Sequence, residues 1–200
     1  MKQLLTLNPP EPLAGAARQM LALVGSLDGT SAPVEADKIA ALLKASPDYL
    51  PALAALAASQ ERSGDKTGLA ITGEKLLSLA PDFAPAKKWL ALLYAGDSAK
   101  RDRAYELAVQ AREMYPEDPA LNKALGILLV GKNDPQRAIS LLRPCSQSLK
   151  DDPEVFYYLG LAQIQNKERV AGKANLQRAL ALKLSGSLAE SAGKLLADPK

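Results

Sequence analysis

The sequence predicts an all-α protein: a right-handed superhelical solenoid of antiparallel helix pairs, about five repeats closed by a C-terminal capping helix. Three observations lead there. The composition is dominated by helix-forming Ala and Leu, the chain is self-similar with a period of about 34 residues, and Asp-Pro pairs recur where helices would begin.

Apolar residues make up 48% of the chain but aromatics only 4%, so the apolar stock is mostly Ala and Leu. These are strong helix formers, and the β-branched residues that fill strands are scarce. A chain of 200 residues is long enough to bury a substantial core. The formal charge of +3 is too small to argue for nucleic acid or an anionic membrane surface. Histidine is absent, which removes the usual general base, the Ser-His-Asp arrangement and the commonest transition-metal ligand. A non-enzymatic chain is therefore expected, with no catalytic residue, cofactor or metal. Cys145 stands alone and cannot form an internal disulfide. No stretch approaches the roughly 20 apolar residues of a membrane span. The opening "MKQLLTLNPP" is too short for a secretory apolar region and lacks a small-residue cleavage site. As written, the chain is expected in the cytoplasm; a periplasmic or envelope location applies if it is a truncated fragment.

The repeat is read by laying the chain on itself. Pro119 and Pro153 are 34 apart, as are Leu125-Gly126 and Leu159-Gly160; Ala104, Ala138 and Gly172 follow the same step. Leu56-Ala57 and Leu90-Ala91 are also 34 apart, and one extra residue fits the turn "AGDSAKRD", where an insertion is tolerated. "SPDYLPA" and "APDFAPA" mark successive unit ends.

Each unit reads as two helices. Asp118-Pro119 and Asp152-Pro153 put an N-cap carboxylate before a first-turn proline, and Asp134-Pro135 does so for a second helix. A small residue follows a leucine in each first helix (Ala57, Ala91, Gly126, Gly160). Small residues also recur in the second helices (Ala104 and Ala111, Ala138 and Cys145, Gly172 and Ala179). Small side chains on facing surfaces let paired helices approach closely. Cys145 thus reads as a buried small hydrophobe, Phe156 as a core residue, and Pro144 as a bend inside a second helix.

On the residues "FYYLGLAQ…GKANLQRALAL" and "NKALGILLV…RAISLLRPC" the chain resembles the tetratricopeptide repeat family. The expected units are 49–82, 83–118, 119–152 and 153–184, preceded by a degenerate helix pair at 11–48 and followed by a capping helix and tail at 185–200, all in one continuous domain. "LLTLNP" nearly duplicates "LLSLAP", so 1–10 reads as the tail of a preceding repeat, as in a truncated array or a piece of a longer protein.

Acidic pairs at the unit boundaries read as solvated helix caps. The densest basic patch, Lys87-Lys88 with Lys100, Arg101 and Arg103, lacks the charge and interleaved aromatics of a nucleic-acid surface. One feature goes beyond the fold. An apolar stripe recurs in the first helices, separate from the Leu-small pair: Ala54, Ala58, Glu61; Lys88, Leu92, Ala95; Lys123, Ile127, Val130; Tyr157, Leu161, Ile164. A helix apolar on more than one face meets a second neighbour or a partner. The resemblance implies that these places line a concave surface where ligands lie. Lys88, Leu92, Lys123, Ile127, Val130, Tyr157, Leu161 and Ile164 are the candidate peptide-binding residues. Either they form an open groove, or neighbouring helices and a terminal segment cover them.

The expected function is a non-catalytic scaffold or adaptor that binds an apolar or amphipathic segment of a protein partner, without nucleic acid or membrane insertion. Family members that clamp a terminal carboxylate use lysines with asparagines, whereas here Leu92, Ile127 and Leu161 stand in the asparagine places. Two alternatives remain. The chain could be the C-terminal array of a larger bacterial envelope or exopolysaccharide assembly protein, which it loosely resembles. It could also be the substrate receptor of an enzyme whose catalytic domain lies elsewhere.

Overall fold

The computed structural model describes residues 34–198 and, before them, positions 15, 18, 20–23 and 25. The readings of 1–10 and of the loop "DGTSAP" lie outside the described residues. The chain divides into two compact units, Met1–Leu90 and Ala91–Lys200, and among the described residues the regular structure is helical throughout.

In the first unit the described positions from 15 to 25 are helical. They are followed by α1 (Ala36–Ala45), α2 (Leu50–Ser63), α3 (Lys66–Leu79) and the first part of α4 (Ala84–Tyr94). Leu23, Ile39 and Ala55 are buried together, with Val34, Leu42, Leu43, Tyr49 and Leu56 packed around them. The α2–α3 turn is tight because Gly64 takes a left-handed conformation (φ 74°) and Asp65 accepts a hydrogen bond from the Gly68 amide. Lys75 ties α3 back to the turn before α2, reaching Asp48 at 2.9 Å and the Pro47 carbonyl at 2.7 Å.

The second unit holds the rest of α4, a 3-10 turn (Ser98–Lys100), α5 (Arg101–Arg112), α6 (Pro119–Gly131), α7 (Pro135–Ser148), α8 (Pro153–Gln165), α9 (Arg169–Ala181) and α10 (Gly186–Ala197). The three Asp-Pro starts form as the sequence implies. Asp118, Asp134 and Asp152 each accept from a first-turn amide (Leu121, Arg137, and both Glu154 and Val155), and the proline that follows has no amide to leave unpaired. α7 continues through Pro144, which lies on an exposed face, so water can satisfy the carbonyl that the missing N–H leaves free.

Within this unit α5 packs on α6, α6 on α7 and α8, α7 on α8, α8 on α9, and α9 on α10. The small residues act as expected. A Cβ on Gly160 would stand 2.8 Å from the Gly172 carbonyl oxygen, and one on Gly172 2.8 Å from that of Gly160, so α8 and α9 meet backbone to backbone. At Gly126 the space is instead filled by Leu142 of α7. Ala104, Ala108, Ala111, Ala138 and Ala179 are fully buried. Cys145 is buried, its Sγ 3.5 Å from the Pro119 carbonyl, and burial pushes its thiol pKa up.

The repeat is visible in backbone detail. After α6 the Asp134 amide donates to the Leu129 carbonyl (3.0 Å), and after α8 the Glu168 amide donates to that of Gln163 (2.8 Å). Asn133 and Lys167, at the same turn position 34 residues apart, are both left-handed (φ 57° and 66°).

Candidate functional site

Two adjoining hollows in the second unit form the candidate groove. The first, about 520 Å³, lies among Leu92, Ala95, Ala120, Ala124, Ile127 and Tyr158, with Arg101, Lys123, Asp152 and Glu154 as its charged members. The second, about 590 Å³, continues past Ile127 and Tyr158 to Val130, Leu161 and Gln165, with Asp102 and Lys132 on its rim. Arg101, Ala95, Ile127 and Tyr158 border both. The last turn of α4 and the start of α5 supply one wall, α6 the floor, and α8 the other wall.

The periodicity of the helices explains this placement. Ala120, Ala124 and Ile127 lie on one face of α6; Glu154, Tyr158 and Leu161, each 34 residues on, repeat it on α8. Leu92, Lys123, Ile127, Val130 and Leu161 therefore line the groove, although Val130 is itself buried at 6% exposure.

Three predicted residues lie elsewhere. Tyr157 is not on the groove. It is 4% exposed, packed with Leu176, Ala179, Leu184 and Ala192, and its hydroxyl lies 3.0 Å from Ser191 Oγ on α10. Helix α10 covers this face of α8. Ile164 packs on the same cluster and against the α9 backbone at Gly172. Lys88 is half-buried on the part of α4 that belongs to the first unit. Tyr158 is the tyrosine that faces the groove, its ring edge-on to Tyr157 at 5.0 Å. On α8 the expected stripe thus keeps Leu161, while Tyr158 stands in place of Tyr157 and Gln165 in place of Ile164. The 34-residue match of Tyr158 to Ala124, which also lines the hollow, is the signal that would have corrected it. Phe156 is half-buried at the edge of the core, with the Arg178 guanidinium 5.8 Å above its ring.

The groove's charges are zoned. Lys123 Nζ bridges Asp152 (2.7 Å) and Glu154 (2.8 Å). Burial draws its ammonium pKa down, but the two carboxylates outweigh this and hold it above the usual lysine value. Lys132 and Asp102 pair at 2.6 Å on the rim, and Lys132 also sits 4.9 Å over the Tyr105 ring. Arg101 is exposed and has no ion pair among the described residues. The Tyr158 phenol senses both poles: burial, Tyr157 and Glu154 push its pKa up, while Arg101 and Lys123 pull it back. The rest of the predicted basic patch is locally engaged, with Lys87 on Asp82, Lys100 over the Tyr94 ring and Arg103 on Glu106. Among the described residues no cluster of three or more His, Cys, Asp or Glu could hold a metal ion, and no helix is long and apolar enough to cross a membrane.

Together the hollows present half-buried aliphatic side chains with a few fixed charges. The comparisons with known proteins agree on the architecture. No protein-family profile matches the sequence, and no curated protein matches it. Solved structures do match. A MamA double mutant aligns with TM-score 0.58 at 12% identity over 72% of this chain and 81% of its own. PilW, described as a widely conserved type IV pilus biogenesis factor, aligns with TM-score 0.56 at 15% identity over 80% of this chain and 76% of its own. Pseudomonas aeruginosa pilF aligns with TM-score 0.54 at 16% identity over 80% and 77%. All three are tetratricopeptide-repeat proteins. The chain is a helical repeat protein with the tetratricopeptide-repeat fold.

Proposed function

We propose that this chain is a non-catalytic interaction module that holds an apolar or amphipathic segment of a partner protein in the groove between α4, α6 and α8. The observation that carries this reading is the continuity of the two hollows across Ile127 and Tyr158, with Leu92, Ala124 and Leu161 alongside. Peptide recognition in helical grooves relies on such rows of aliphatic anchors. The test is the double variant Ile127→Glu with Leu161→Glu. Both side chains are half-buried on the groove face, so the fold is expected to persist by circular dichroism while capture of the partner from source-cell lysate is lost. A folded variant that still captures the same partner contradicts the reading.

A second reading, membership of a bacterial envelope-assembly system, draws support from the likeness in fold to PilW. Fractionation of source cells tests it: recovery with the envelope favours it, and recovery only with soluble cytoplasmic protein counts against it.

A further inference from the structure

Resting on the groove reading, we infer that the segment it takes is zwitterionic as well as aliphatic: a carboxylate that meets Arg101, a cation that meets Glu154 and Asp152, and aliphatic side chains between them on Ile127 and Tyr158. The charge ledger of the lining leads there. Lys132 and Asp102 neutralise each other on the rim. Lys123 is shared by two carboxylates, Asp152 and Glu154, which leaves one negative charge in excess at that end. Arg101, on the first turn of α5, borders both hollows and has no ion pair among the described residues. A purely apolar occupant would lower the dielectric around Arg101 and around the surplus carboxylate while pairing neither, which is unfavourable. An occupant of the opposite zoning pairs both, and complementary charge of this kind governs specificity and association rate more than raw affinity. It differs from a terminal-carboxylate clamp because the lysine available for one, Lys123, is already held by Asp152 and Glu154.

The test uses the full chain, isotope-labelled, and four capped tetrapeptides: Glu-Leu-Leu-Lys, Glu-Leu-Leu-Gln, Gln-Leu-Leu-Lys and Gln-Leu-Leu-Gln. Binding is followed by the amide resonances of Arg101, Ile127 and Tyr158. At low salt Glu-Leu-Leu-Lys is expected to bind about tenfold more tightly than Gln-Leu-Leu-Gln, with each single-charge peptide gaining about threefold. The gap closes at high salt. Arg101→Gln removes the gain from glutamate and leaves that from lysine; Glu154→Gln reduces the gain from lysine alone. Equal binding of all four peptides at the groove overturns this inference and leaves the groove reading standing. If none of them moves the Ile127 and Tyr158 resonances, the groove reading falls and this inference with it.

Discussion

Lys123 and Tyr157 hold the same register in successive repeats, 34 residues apart, yet they meet opposite fates. Lys123 borders an open hollow and bridges two carboxylates. Tyr157 is sealed beneath α10 and bonded to Ser191, a further 34 residues along. Register therefore specifies which face of a helix a side chain occupies, whereas the next element in the chain decides whether that face stays open. Beside α6 the groove remains accessible. At α8, helix α10 has taken the equivalent ground.

The comparison can be broken most severely at the cap. Ala192 is fully buried against the Tyr157 cluster, and Ala192→Glu is expected to cost about 3 kcal/mol or more by placing a carboxylate there. Urea unfolding measures it, and Tyr157 should gain solvent exposure by fluorescence. Next come the glycines of the two helix pairs. Gly160→Ala drives a methyl group into the Gly172 carbonyl, a backbone obstacle, whereas Gly126→Ala meets the movable end of Leu142. Losses of about 2 and about 1 kcal/mol are expected, in that order; equal losses would mean that the two pairs pack alike. Tyr157→Phe removes the bond to Ser191 and should cost about 1 kcal/mol, while Tyr158→Phe, which loses no side-chain hydrogen bond among the described residues, should cost less.

Alkaline pH probes the open side more gently. The Lys123 ammonium is held above its ordinary value of 10.5 in the folded state. Its contribution is thus fully present below that value and is lost as pH rises through the higher folded one. The Lys123 share of stability should therefore be level near pH 9 and decline above about 10.5, on top of the losses that the raised Cys145 thiol and Tyr158 phenol bring from lower pH, and the total decline should be smaller in Lys123→Gln. An identical decline in both proteins would assign the effect to other groups.

Much of this was legible from the residues. The Asp-Pro starts at 118, 134 and 152, the leucine-small pairs and the buried place of Cys145 follow from local rules of capping and packing, and the structure repeats them. That Leu92, Lys123, Ile127, Val130 and Leu161 border the hollows follows from the helical period within α6 and its repetition in α4 and α8. The fate of Tyr157 was not legible. Its burial depends on α10, whose docking is a tertiary event with no local mark in "VFYYLG", and adjacent tyrosines lie only about 100° apart around a helix. The place of Arg101 was hidden for a similar reason. In sequence it belongs to a basic run, and only the structure shows that its neighbours Lys100 and Arg103 are engaged elsewhere while it borders both hollows without an ion pair among the described residues.

The difference between the open and the covered stripe is tested most directly by thiol accessibility. In a Cys145→Ala background, Ile127→Cys and Tyr157→Cys are each exposed to a maleimide under native conditions, with folding verified by circular dichroism. The Ile127→Cys protein is expected to react at least about tenfold faster, since the thiol at 157 must wait for the cap to open. Equal rates, or faster labelling at 157, would contradict an open groove at α6 and a closed one beneath α10.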